Sequence, residues 1–393
     1  MTKIKGIKIR NFRSIEDAQL EVEPITLLYG QNASGKSSIL YAPLVFRNII
    51  LNPNQIVDGF SNLMFCNFGG FEQVVYNHRP ELEIEFAITA KTDYGDLTYS
   101  VTFGKEGGKF GIKLNDKFEE FLNVRFPYPV NSQKRIQFKI DNEVFEYIWN
   151  GITLSSSQQL SSLGENILKT LNSIVELIKR IDIVPLKRGF SKPVYSPVGM
   201  TSYVISEDEV ATLLTGGYGY LKNKVHSYVR KIFNKDFQLT SQPGTSIFYL
   251  QTVDERGLTS ELVNEGFGVN QTIYLLTKVL RPDISIILIE EPEIHLHPTA
   301  QNNLMKAFVE IVKQENKTLI ISTHSEHIVS SLLSLVAENK LSPEDISCYL
   351  CEKDKGRTIV KHQKVNSKGQ IEGGLTSFME AEIETLKKIV GER

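Results

Sequence analysis

Residues 24–40 read "PITLLYGQNASGKSSIL". A short apolar run, Ile25 to Tyr29, ends at Gly30, and an apolar helical pattern begins after Lys36. Between them the spacing G-x-x-x-x-G-K-[ST] is met by Gly30, Gly35, Lys36 and Ser37. Glycines at those positions let the backbone turn tightly, so that successive N–H groups ring a phosphate. The lysine reaches the outer phosphates, the Ser37 hydroxyl suits Mg²⁺, and the following helix aims its positive end at the anion. Gly30, Gln31, Asn32, Ala33, Ser34, Gly35, Lys36, Ser37 and Ser38 are therefore the candidate phosphate cradle. Pro43, inside the helix pattern, is expected to kink or interrupt it.

A phosphate loop requires an acidic element at the end of a neighbouring strand. The apolar run "ISIIL" supplies one, because it leads into "IEEPEIHLHP", residues 289–298. Glu290 is the candidate metal carboxylate, acting through water, in a position where Asp is commoner. Glu291 is the candidate group that polarises the attacking water. His295 and His297 alternate, which on a strand would place them on one face as a chelating pair. The other reading is a turn whose histidines bond backbone and a facing subunit. A second apolar strand, "LIIST", ends at His324, within reach of a γ-phosphate, while Thr323 or Ser325 can cap the helix that follows. His327 reads as a surface or helix-packing residue.

Outward from these motifs the chain divides by pattern. Residues 1–150 read mainly as strands: "KIKGIKIRNF", "ELEIEFAI", "LTYSVTF", "RIQFKI" and "NEVFEYIW". Within 151–260, residues 157–181 and 206–234 have helical spacing, followed by the strands "FQLT" and "SIFYLQTV". Residues 261–393 alternate helix and strand, as a parallel α/β sheet requires. The stretch "PLKRGFSKPVYSPVG", residues 185–199, is rich in Pro, Gly and Ser and reads as a connection between lobes.

Composition sets limits. Of 393 residues, 41% are hydrophobic and 23% charged, and the net charge is −2. That balance argues against a uniformly basic nucleic-acid binder. Three cysteines, Cys66, Cys348 and Cys351, are too few for a disulfide framework. With no apolar signal block or membrane span in the pattern, a cytoplasmic location is expected.

Taken in order, "IKIRNFRSIEDAQLEV", "PITLLYGQNASGKSSIL", "NEGFGVNQTIYLL", "IEEPEIHLHPTAQ" and "ISTHSEHIV" resemble ABC-type ATPases of the SMC/RecF kind. They are most similar to compact AAA-type ATPases related to the overcoming-lysogenization-defect (OLD) family. The resemblance spans almost the whole chain. It implies an α/β P-loop NTPase with an ABC-ATPase head-like fold. A β-rich N-terminal lobe would adjoin a parallel sheet flanked by helices, with a helical insertion. It implies ATP and Mg²⁺ as cofactors, with Lys36, Glu291 and His324 catalytic and Ser37 and Glu290 at the metal. Arg13 would contact the nucleotide. Gly266, Phe267 and Gly268 would form the signature segment, whose amides and helix N-terminus face the γ-phosphate held by another subunit. Family members often carry Ser where Gly266 stands. A Q-loop glutamine is expected, with Gln73 a candidate. The tail "KVNSKGQIEGGLTSF" resembles the C-terminal extension of one subgroup.

One phosphate loop and one signature segment in such a fold predict a head-to-tail homodimer around two ATP molecules. The part after "ISTHS" lacks the acidic cluster of a Toprim nuclease, and no long heptad region is present. The leading expectation is an ATPase switch of an anti-phage module with a separate nuclease or toxin effector. A RecF-like DNA clamp is the second reading. It rests on a basic stripe of Lys222, Lys224, Arg230, Lys231 and Lys235. The third reading is an ATP-binding scaffold with little hydrolysis.

Overall fold

The computed structural model describes residues 2–115, 118–140, 143–201, 203–216 and 220–374. The last four residues of the tail motif, Leu375 to Phe378, lie outside them. The chain forms two compact units, each assembled from separated segments: Met1–Glu23, Ala33–Ile181 and Cys351–Lys361 in the first, Pro24–Asn32, Asp182–Leu350 and His362–Arg393 in the second.

The first unit is built on a six-stranded antiparallel sheet. Across it lie Ile15–Glu21, Lys3–Phe12, Ile84–Thr92, Gly95–Phe103, Gly107–Leu114 and Phe118–Arg125. Burial alternates along Gly95–Phe103, so one face meets the core and the other faces out. The helix Lys36–Leu51 packs on Lys3–Phe12 and Ile84–Thr92. It runs through Pro43 without interruption, contrary to expectation. Leu40, Leu44, Val45 and Phe46 are all buried, and that packing outweighs the single backbone hydrogen bond that proline removes.

The strands Gly107–Leu114 and Phe118–Arg125 carry no clear sequence signal. Gly107, Gly108 and Gly111 lower the strand propensity of the first. Their reason is close approach, since a Cβ on Gly108 would meet Thr102 O at 2.2 Å.

The second unit carries most of a sheet whose order is Ile181–Val184, Ile286–Glu290, Thr318–Thr323, Ile25–Tyr29, Ile346–Asp354, Arg357–Gln363. Its central four strands are parallel. All five residues of Ile286–Glu290, here the glutamate strand, are buried, as are all five of Ile25–Tyr29, the loop strand. Burial on both faces is why these strands read as unbroken apolar runs instead of alternating. Helices Phe267–Val279, Pro298–Glu315 and Glu326–Ala337 contribute Ile273, Leu276, Leu304, Phe308, Ile328 and Leu332 to the same core. The expected mixed α/β architecture is therefore present, with an antiparallel N-terminal sheet and a parallel sheet flanked by helices.

The stretch 185–199 is not a free connection. The unit boundary falls just before it, at Ile181/Asp182, and the stretch itself is packed into the second unit. Phe190 and Tyr195 are buried, their rings 5.8 Å apart. Aromatic burial, which the Pro, Gly and Ser content masks, decides its place. Among the described residues no helix is long and apolar enough to cross a membrane.

Candidate nucleotide site

The candidate cradle divides between the units, Gly30–Asn32 belonging to the second and Ala33–Ser38 to the first. Gly30 (φ 138), Ala33 (φ 59) and Gly35 (φ 100) all take positive φ, the geometry that turns successive amides inward. In the first unit Gly35 is the left-handed N-cap of helix Lys36–Leu51 and offers no side-chain cap, leaving the helix N-terminus open to an anion. Ser34, Lys36 and Ser38 are buried, and Lys36 Nζ lies 3.3 Å from Ser34 Oγ. Gly35 also meets Thr358 closely, because a Cβ there would lie 2.1 Å from Thr358 Oγ1. Thr358 in turn bonds Ser14, hydroxyl to hydroxyl at 2.8 Å and amide to carbonyl at 2.8 Å. The "NFRS" turn is thus tied to the loop's glycine through Thr358.

Arg13 follows in the same turn, with φ 54 and its amide on Val74 O. Its guanidinium lies 4.7 Å from the centre of the Phe68 ring. Burial, and then the charge of Arg13, push the Lys353 ammonium below its ordinary pKa. Burial pushes the Cys351 thiol up to about 12, which makes it an inert core residue. Gln73 is exposed on the short helix Phe71–Val74.

In the second unit the parallel register sets Glu290 level with Ser322, and Ser322 level with Leu28. The glutamate strand and the loop strand are therefore two strand spacings apart, ~10 Å. The acidic pair and the start of the Gly30 loop leave the same carboxyl edge. In open α/β sheets that edge is where ligands bind.

Glu290 is buried, and its Oε2 accepts the Leu186 amide at 3.2 Å. Glu291 takes φ 43, an uncommon conformation for a residue with a Cβ, while its amide donates to Ser322 O at 2.9 Å. Its Oε1 lies 3.2 Å from His324 Nε2. Glu293 Oε1 accepts both Thr323 Oγ1 (2.7 Å) and the His324 amide (2.9 Å), which fixes the residue that carries the imidazole. Burial pushes the Glu293 carboxyl above its usual range, and its neighbour Glu291 adds to that. Ser325 caps the following helix through Ile328 N, and His327 is exposed.

Arg188 supports this edge from the stretch 185–199. Its guanidinium donates to Glu290 O and Glu291 O, both at 2.7 Å, and to Pro185 O at 3.1 Å. Burial lowers its pKa to about 10, opposed by the charges of Glu293, Glu290 and Glu291. At that value it remains a cation at neutral pH, facing three carboxylates.

The segment Gly266–Gly268 opens helix Phe267–Val279 with no side-chain cap. Gly266 is extended at φ −59, ψ 143, and a Cβ there would meet nothing within 4 Å. Gly268 differs, since a Cβ would meet His295 O at 2.5 Å. Phe267 is 70% exposed, its ring 5.3 Å from that of His295.

His295 and His297 lie in a turn, not on a strand. Pro292 and the left-handed Glu291 and His295 end the extended backbone at Glu290. His295 Nδ1 lies 3.5 Å from Gln271 Oε1, and His297 is the N-cap of Pro298–Glu315. The basic stripe is largely neutralised. Lys224 pairs with Glu315, Lys231 with Glu310 at 2.5 Å, Lys235 with Glu265 at 2.8 Å, and Arg230 lies 3.7 Å from Asp236.

The family model of the AAA ATPase domain matches residues 2–329. The chain belongs to the AAA ATPase domain family. It is 23% identical to the OLD nuclease of Thermus scotoductus over 82% of this chain and 59% of that protein. It is 22% identical to the endonuclease GajA of Bacillus cereus over 88% and 59%. It is 24% identical to the Old nuclease of Escherichia phage P2 over 84% and 57%. The chain thus spans less than two thirds of the length of these relatives.

Among solved structures it is similar to the Smc head domain of Pyrococcus furiosus bound to the C-terminal domain of ScpA. The TM-score is 0.52 at 9% identity, covering 99% of this chain and 100% of that one. An Smc head bound to the C-terminal winged-helix domain of ScpA gives 0.53 at 11% identity, covering 92% and 98%. These likenesses show the fold of this AAA ATPase domain, a head of the SMC type.

Four residues around the candidate site escaped the sequence reading: Arg188, Glu293, Thr358 and Asn270, the last a residue of helix Phe267–Val279 whose side chain bonds both backbone groups of Phe190. Arg188 lay in a stretch whose composition signals a connection. Glu293 stood inside "EPEIHLHP" beside two more conspicuous glutamates. Asn270 and Thr358 act through contacts with residues far away in sequence, for which one sequence carries no signal.

Proposed function

We propose that this chain is an ATP-binding and ATP-hydrolysing dimeric switch. The observation that carries the reading is the common edge of the parallel sheet. There Glu290, Glu291 and His324 stand level with the strand that leads into the Gly30–Ser38 loop. Lys36 and the cradle amides would bind the phosphates, and Arg13 would contact the nucleotide. Glu291, steadied by His324, would take the proton of the attacking water. The Ser37 hydroxyl and the Glu290 carboxylate are each hard oxygen ligands of the kind Mg²⁺ takes, and would hold it in this reading. Bound Mg²⁺ would supply charge neutralisation at the phosphates.

The chain carries one cradle and one Gly266–Gly268 segment. Two chains would therefore pair head to tail, each offering its open helix N-terminus to the nucleotide held by the other. The exposed Phe267 and the His295 turn would lie at that interface. The whole chain would work as one ATPase head, made of a β-rich lobe (1–150), an insert lobe (151–260) and a signature and switch lobe (261–393). Similarity to OLD nucleases and to an endonuclease supports an anti-phage defence role in which the switch controls a separate nuclease or toxin effector. ATP binding would close the pair and hydrolysis would open it.

The deciding experiment is the solution mass with Mg-ATP for the parent and for Glu291→Gln, alongside phosphate release. A variant trapped as an ATP-dependent dimer, with phosphate release down about 100-fold or more, supports the mechanism. One unchanging mass for both proteins, with no phosphate released by either, would favour an ATP-binding scaffold instead.

A further inference from the structure

The segment Leu186–Phe190 is held at both ends by groups that matter to the proposed reaction. At one end the Leu186 amide and the Arg188 guanidinium grip Glu290 and Glu291, by one carboxylate oxygen and two carbonyls. At the other end Asn270 grips Phe190. Its Oδ1 accepts the Phe190 amide at 2.7 Å, and its Nδ2 donates to Phe190 O at 2.8 Å and to Leu262 O at 2.9 Å. Asn270 is buried on the first turn of helix Phe267–Val279, two residues after Gly268. Between the two grips stands Gly189, at φ 121. A Cβ there would lie 2.8 Å from Asn270 Oδ1, so the contact needs a glycine on both counts.

We infer that Leu186–Phe190 is a coupling strap. It transmits displacement of the signature helix to the backbone of Glu290 and Glu291, with Arg188 and Asn270 as positioning residues. The inference rests on the proposed reaction for its purpose, but its mechanical content does not.

Three physical points support it. The strap is short, so its two grips cannot move independently by much. Glu291 is held at positive φ, a conformation that surrounding contacts must impose, and Arg188 supplies two of them on consecutive carbonyls. The Asn270 side chain also uses three hydrogen bonds on two different segments, so moving the helix start pulls directly on Phe190. The state of whatever binds at Gly266–Gly268 thereby reaches the glutamate pair of the same chain.

The test uses the full chain and the variants Arg188→Lys, Asn270→Asp and both together, each checked for a parent-like far-UV spectrum. The first readout is amide hydrogen exchange across 286–296 without nucleotide. Asn270→Asp, at a side chain whose hydrogen bonds go to Phe190 and Leu262, is expected to speed exchange at Glu290–Glu291 by roughly threefold or more. The double variant should match the more severe single variant, since both cut the same strap. If Asn270→Asp leaves that exchange unchanged, or if the two effects simply multiply, the strap is overturned.

The second readout is steady-state hydrolysis. Both variants should lower kcat with little change in KM, because they displace Glu291 and leave the phosphate cradle alone. A parent that hydrolyses no ATP would sink the proposed function, and exchange alone would then decide the strap.

Discussion

Gly268 and Gly266 stand two residues apart at the start of one helix, and the structure assigns them opposite tolerances. A methyl group on Gly268 would approach His295 O to 2.5 Å and Leu296 Cδ2 to 3.0 Å. Comfortable carbon–oxygen contact begins near ~3.3 Å, so something must move by ~0.8 Å. The oxygen cannot easily give way. His295 is already at φ 60, the Leu296 side chain is buried in the core, and the Leu296 amide is bonded to Glu293 O at 2.9 Å. Forced overpacking of this kind costs ~1–3 kcal/mol. For the second unit, ~210 residues melting as one transition, each kcal/mol is worth ~2–4 °C in Tm.

Gly268→Ala is therefore expected to melt several degrees lower by circular dichroism and, on the proposed mechanism, to lose hydrolysis, because the displaced helix start would carry the signature amides. Gly266→Ser is expected to fold as well as the parent or slightly better. Its Cβ enters open space at a φ any residue adopts, and serine is the better N-cap by a few tenths of a kcal/mol. On the proposed mechanism its hydroxyl would also supply the group that family members often carry at the aligned position, so ATP-dependent dimerisation should tighten. Equal melting of Gly268→Ala and the parent would refute the packing argument. A Gly266→Ser protein that melts well below the parent would refute the claim of open space.

Two more expectations come from buried charge. Asp182 holds Lys278 Nζ at 3.1 Å and an Arg281 nitrogen at 2.9 Å, and the Lys278 side chain is wholly buried. Asp182→Ala leaves those cations without their shared partner and should cost ~3–5 kcal/mol in denaturant unfolding, whereas a loss under 1 kcal/mol would contradict the cluster's role. Glu293 has a raised pKa in the folded chain, so folded protein holds its proton after unfolded protein has released it. Its contribution is fully present below the ordinary value of 4.5 and is lost as pH rises through the folded value. Glu293→Gln keeps an acceptor for Thr323 and His324 but cannot ionise. The parent's melting temperature should therefore fall relative to the variant's as pH rises above 4.5. Parallel pH profiles would show that this carboxyl is not strained.

The local elements that carry the candidate site were legible because each is local in sequence. A strand, a glycine loop and a helix in immediate succession carry their own geometry, as do an apolar strand ending in two glutamates and another ending in "STHS". The parallel sheet was legible for a related reason, since strands buried on both faces must be apolar throughout. Element type failed where sequence and packing pull apart. Pro43 lies in an unbroken helix because burial outweighs one lost hydrogen bond, and Gly107–Leu114 is a strand whose glycines serve close approach.

What only the tertiary structure decided is which distant residues meet. Arg188 reaches the carbonyls of Glu290 and Glu291, Thr358 meets Gly35, and Asn270 holds Phe190. Three of the basic residues near 230, suggestive in sequence, pair with Glu315, Glu310 and Glu265. Local patterns determine strands, turns and helix ends because backbone sterics and amphipathic period act over a few residues. Long-range pairing depends on how the chain closes on itself, and only the folded structure holds that information.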